Sequence, residues 1–195
     1  MNASTLRGMP RLAPAYVGGV QLGAYAARRW LTPAARDRLL RACSTNVDNL
    51  GQGRWNTLAS SALLVEEPME LPYLLLLLAV LGYAEYAHGA WWAAAVFVLG
   101  HVGATLLVYG GLRAVRPSEE TRSARDVGTS YGFNAVLGAL AGALPRGRVR
   151  TSAAAALLAL GAQPLLRGPR PTFTDVGHFA ALAIGLALTT GRRPR

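Results

Sequence analysis

The run LPYLLLLLAVLGYAEYAHGAWWAAAVFVLGHVGATLLVYGGL, residues 71 to 112, carries one acidic residue, Glu85, and no arginine or lysine. A helix that crosses a bilayer needs about 20 mostly apolar residues at about 1.5 Å of rise each. This run supplies two such lengths, 71–88 and 90–112, and neither is readable as another element. Working outward, four further apolar segments stand at 12–31, 127–145, 151–166 and 174–190. The first and fifth are the weakest, because glycine and alanine dominate one and the other is short. The count is six spans, with five or seven as the alternatives. Composition agrees, since 52% hydrophobic against 15% charged residues in 195 points to lipid and away from an ordinary soluble protein. The expectation is one all-α domain over residues 1–195, a polytopic membrane bundle of six transmembrane helices.

The connections differ in kind. Residues 32–70 mix arginine, asparagine and glycine with short apolar groups such as LASSALLVEEP, too polar to cross and too apolar to be a linker. Short helices lying at the membrane surface are expected there. The other connections are short: a charged turn at 113–126, the basic RGRVR at 146–150 and a proline-bearing turn at 167–174. All 20 basic residues are arginine, against 10 acidic ones, for a net charge of +10. They lie between the apolar spans, where anionic headgroups are the partners rather than nucleic acid. With the N-terminus inside, eight arginines fall inside and twelve outside. That leans against an inside N-terminus, although the long first connection, together with Arg28 and Arg29 at the end of the span before it, supplies half of the twelve. The lone Cys43 excludes an intrachain disulfide. Three scattered histidines give no metal site. The first apolar stretch is broken by glycines and lacks a cleavage signal, so it is read as a span that stays.

One motif raises chemistry. RDVGTSYGFNAVLGAL, residues 125–140, spells G-x-S-x-G at Gly128, Ser130 and Gly132, the pattern of a hydrolase nucleophile turn. That turn needs a strand before the serine, whereas a charged connection precedes this one and an apolar run follows. The soluble triad is therefore discarded, although Ser130, Asp175 and His178 stand in a fitting order. A second DVG, residues 175–177, leads straight into His178, and both triplets read as helix entries in which Asp126 and Asp175 accept from first-turn N–H groups. Segments four and six run parallel, and Ser130 and His178 sit at matching depths. Small residues at Gly128, Gly132, Ala135 and Gly138, and at Gly177, Ala181 and Gly185, let two helix backbones approach closely. A histidine within reach of a serine hydroxyl is the usual base that makes it a nucleophile. Against this stands the plain alternative that a serine in a membrane helix packs as a small residue or bonds its own backbone. Glu85 is expected to be paired or hydrogen-bonded between helices, with Arg54 or His88 as candidate partners. His101 is read first as a structural residue bonded to a neighbouring helix.

Together these residues resemble the rhomboid intramembrane serine proteases. Gly128-Thr129-Ser130 and His178 with Ala181 and Gly185 match that family's motifs, as do Glu85 with Gly89, and Trp55 where the family has Trp-Arg. The stretches STNVDNL (44–50) and GHVGATLL (100–107) are similar to those of actinobacterial rhomboid-like membrane proteins. The resemblance implies a six-helix core in the cell membrane, in bacteria the inner membrane. It also implies a Ser130–His178 dyad acting without a cofactor, an oxyanion and substrate crevice near Gly128 and Thr129, and structural roles for Trp55, Glu85 and Gly185. The partners implied are membrane lipid and a transmembrane segment of a protein substrate or client. The sequence departs from the family at five positions. Asn56 follows Trp55, Tyr131 follows the serine, Asn134 replaces the aromatic that stacks on the histidine, and Met69 and Tyr73 stand where a histidine and an asparagine help bind the oxyanion. Losing a side-chain donor there costs about 10²–10³ in rate. A silent member that binds transmembrane segments through the same crevice is thus the alternative to a protease.

Overall fold

The computed structural model describes residues 9–115, 117–167 and 172–190. Among the described residues ten α-helices follow one another: α1 Leu12–Trp30, α2 Pro33–Cys43, α3 Val47–Gly51, α4 Thr57–Ser60 and, after a 3₁₀ turn at Ser61–Leu63, α5 Leu71–His88. Then come α6 Ala90–Val115, α7 Glu119–Arg122, α8 Ser130–Ala143, α9 Arg148–Arg167 and α10 Phe173–Thr190. No strand occurs among the described residues. The six apolar segments read from the sequence each hold a helix. Of these, α5, α6 and α9 are long and apolar enough to cross a membrane, while α10 is a shorter apolar helix over Phe173–Thr189. Helix α8 has 14 residues, which at 1.5 Å each is about 21 Å, less than the ~30 Å of a hydrocarbon core.

Local chemistry explains the ends. Thr32 caps α2 by accepting from Ala35 N–H at 3.3 Å, with Pro33 in the first turn. Asn46 caps α3 through Asn49 N–H at 2.8 Å. The α5–α6 corner is a single residue, Gly89, at φ +96°, whose N–H bonds Glu85 O at 2.8 Å. A side chain is strained at that φ, so glycine lets two long helices meet with almost no loop.

Helix α1 begins without a capping side chain of its own. Its free N–H groups are taken from across the fold: Glu85 Oε1 accepts from Arg11 and Leu12 N–H at 2.8 and 3.0 Å, and Oε2 from Ala13 N–H at 2.9 Å. The carboxylate is thus satisfied by backbone at the positive end of a helix. The expected hydrogen bonding between helices is met by backbone at the start of α1. Arg54 instead bonds Asn49 Oδ1 and Ala42 O, inside the surface segment. Glu85→Ala is expected to cost about 0.5–2 kcal/mol, as loss of a helix cap does. Faster hydrogen exchange confined to residues 11–13 would be its signature.

Helix α8 is the centre of the bundle, packed against α6, α10 and α5, and its face is made of small residues. A methyl group added at Gly100 would run into Ala135, one at Gly138 into the Leu182 carbonyl, and one at Gly185 into the Ala135 carbonyl. Backbones in contact gain dispersion and weak hydrogen bonds that larger side chains would hold apart. Helix α9 buries no residue and stands at the periphery. The surface segment forms the expected short helices, α2 to α4. An ion-pair web joins it to the connection before α8: Arg41–Asp37 at 2.8 Å, Arg36–Glu67 at 2.7 Å, and Arg125 to Asp37 and Glu66 at 3.2 and 3.3 Å.

Candidate functional site

The approach to Ser130 is a non-helical run, 124–129, stitched to the surface segment. Asp126 N–H donates to Ser44 Oγ at 2.7 Å, and Thr45 N–H to Asp126 O at 3.2 Å. Asn46 Nδ2 donates to Ala124 O at 3.3 Å, and Gly128 N–H to Ser61 O at 2.8 Å. Gly128 takes φ +151°, a conformation that L side chains rarely adopt. Thr129 is buried, and its hydroxyl shares a hydrogen bond of 2.8 Å with Tyr73 Oη. Held at both ends, the run delivers Ser130 as the first residue of α8. Its N–H, like those of the next two residues, has no carbonyl of its own helix to bond.

This geometry corrects one reading of the two DVG triplets. Helix α8 starts four residues after Asp126, so this aspartate caps nothing. It accepts instead from Tyr109 Oη at 2.7 Å, tying the connection to α6. Asp175 does serve its helix, as the inner partner of a capping box: Thr172 Oγ1 accepts from Asp175 N–H at 3.1 Å, and Asp175 Oδ2 accepts from Thr172 N–H at 2.9 Å.

Burial pushes the Asp126 carboxyl up to about 6 from 3.8, and the Tyr109 hydrogen bond opposes that rise. A carboxyl whose folded pKa is raised binds its proton better in the folded chain. Its ionisation therefore withdraws stability as pH climbs from 3.8 to about 6, and the full penalty stands above that window. Asp126→Asn keeps an acceptor for Tyr109 and carries no charge. Thermal melts should show it more stable than wild type at pH 7.5, by up to about 3 kcal/mol at 1.36 kcal/mol per pKa unit. At pH 4 the two should be nearly equal.

Helices α8 and α10 are neighbours, and His178 Nε2 lies 2.8 Å from Ser130 Oγ. Both side chains are part-buried, and no residue among those described hydrogen-bonds His178 Nδ1. Asn134 Nδ2 donates to Ser130 O at 2.9 Å and locks the first turn. The ring of Tyr131 meets the imidazole edge-on, with centroids 5.5 Å apart and planes at 83°. Such an arrangement can pass a serine proton to an imidazole without a third polar residue.

The other sequence-selected residues divide. Tyr73 is one residue from the serine through Thr129. Met69 is 8% exposed and held through its backbone by Gln21, whose Oε1 accepts from Met69 N–H at 2.8 Å and whose Nε2 donates to Met69 O at 3.1 Å. Its thioether brings no N–H or O–H donor. Gly185 lies against the Ala135 carbonyl, seven residues beyond the histidine. Trp55 is 59% exposed on the surface segment. His101 Nε2 pairs with Ser61 Oγ at 3.1 Å, fixing the surface segment to α6. Sequence reasoning missed the contact of Tyr131 with His178, because adjacency to the serine gave no sign that its ring would turn towards α10. Among the described residues, no group of three or more histidine, cysteine, aspartate or glutamate side chains could hold a metal.

A family model described as rhomboid-like protein matches residues 13–194. No curated protein and no solved structure matches the chain. With that match over nearly its whole length, and an all-helical fold holding three candidate spans, the chain belongs to the rhomboid-like family of membrane proteins.

Proposed function

We propose that this protein is an intramembrane serine protease that hydrolyses a peptide bond in or near a transmembrane segment of another protein. The observation that carries the reading is the 2.8 Å contact between Ser130 Oγ and His178 Nε2. In the proposed cycle His178 Nε2 accepts the hydroxyl proton as Ser130 Oγ bonds to the substrate carbonyl carbon. The histidine then returns that proton to the leaving amine as the C–N bond breaks. Water, deprotonated by the same nitrogen, hydrolyses the acyl-enzyme and regenerates the serine. The oxyanion would take the Ser130 N–H, with the Tyr73 hydroxyl as a second donor. Met69 offers none, so the reading expects a slow enzyme. No cofactor enters the cycle.

In this reading the helices of all six apolar segments cross the cell membrane as a multi-pass bundle, and lipid covers α9. The substrate segment approaches the mouth of α8 and α10. The test is reconstitution in proteoliposomes with single-span proteins tagged at both ends. Fragments from wild type but not from Ser130→Ala support the proposal. Intact substrates that still crosslink to wild type would favour the second role, a non-enzymatic binder of transmembrane segments along the same small-residue face.

A further inference from the structure

We infer that Tyr131 is the positioning residue of the dyad, setting the plane of the His178 imidazole so that Nε2 faces Ser130. The inference rests on the protease reading only for its consequence in rate; the positioning itself is a matter of geometry. An imidazole on a helix has two side-chain torsions to fix. The Ser130 hydroxyl engages one nitrogen, and the other has no hydrogen-bond partner among the described residues. Among the described residues no third polar group orients this ring as one orients the base of a triad. Tyr131 is 3% exposed, and its edge-on contact with His178 is of the kind aromatic rings favour.

The tyrosine is itself confined. Its phenol end occupies the space that a Cβ on Gly177, the residue before the histidine, would need. On another side lies His101, with centroids 6.0 Å apart. The hydroxyl lies near Asp126 and Thr174 and has no hydrogen-bond partner among the described residues. The ring is thus wedged by shape, and shape is what it passes to His178. Gly177 is then explained by the phenol it admits.

The chain has only three histidines, so nitrogen-15 NMR of histidine-labelled protein can follow His178 directly, with His178→Ala giving the assignment. The variants are Tyr131→Phe, which keeps the ring, and Tyr131→Leu, which removes it. Gly177→Ala displaces the ring without touching Tyr131. The hydrogen-bonded Nε2 signal of His178 should persist in Tyr131→Phe and be lost in Tyr131→Leu and Gly177→Ala, with helix content by circular dichroism retained. Reaction of Ser130 with a fluorophosphonate should fall about 10²-fold in the latter two, the cost of a small misplacement, and change little in Tyr131→Phe. An unchanged His178 signal in folded Tyr131→Leu overturns the inference, as does its loss in folded Tyr131→Phe. Should Tyr131→Leu not fold, Gly177→Ala decides by the same signal. A wild type that shows the signal but never reacts refutes the protease reading and leaves the positioning established.

Discussion

Gly185→Ala is expected to lower the stability of the bundle by about 3 kcal/mol or more, the upper part of the range for overpacking. The added methyl would overlap the Ala135 carbonyl oxygen and crowd its carbonyl carbon and Cα, 2.6 and 2.8 Å away. These are backbone atoms of the central helix and cannot rotate aside as a side-chain tip could. The α8–α10 seam must open instead, along the helices that bring Ser130 and His178 together. Gly82→Ala is the control: nothing lies within 4 Å of its Cβ position, and alanine is the better helix former by roughly 0.5–1 kcal/mol. Thermal melts in one detergent should therefore move in opposite directions. A Gly185→Ala protein as stable as wild type would contradict the packing described for α8 and α10.

The fold was legible wherever the signal was hydropathy. Residues 71–112 announced two long helices, 71–88 and 90–112, with the residue between them left as the corner. The start of α8 was less legible, because the apolar run at 127–145 begins before its helix does. Gly128 and the hydrogen bonds with Ser44, Thr45 and Ser61 hold residues 124–129 out of the helix, and such long-range ties leave no periodicity behind. Glu85 was rightly read as hydrogen-bonded between helices, but its partner carried no sign in the sequence: it is the N-terminus of α1, charge that belongs to backbone and not to any residue type. At the site, matched depths and facing small residues made the approach of Ser130 to His178 foreseeable. The contact of Tyr131 was not, since it depends on which way one ring turns in the gap left by Gly177.

The second large effect concerns that approach. His178→Ala should slow the reaction of Ser130 with an electrophile by about 10²–10⁴-fold, the usual contribution of a positioned general base. The helix should remain intact, because the imidazole is part-buried and makes a single hydrogen bond. A serine that merely packs would react with no reagent in either protein. A serine activated by the start of its helix alone would react equally in both. Only a base working through Nε2 gives a fast wild type and a slow variant.

The measurement closest to this claim is fluorophosphonate labelling of purified protein, with the adduct located by mass spectrometry and an active rhomboid protease labelled alongside. The account predicts one adduct, on Ser130, absent in Ser130→Ala and nearly absent in His178→Ala. Wild-type protein that stays unlabelled while the active protease reacts would contradict it.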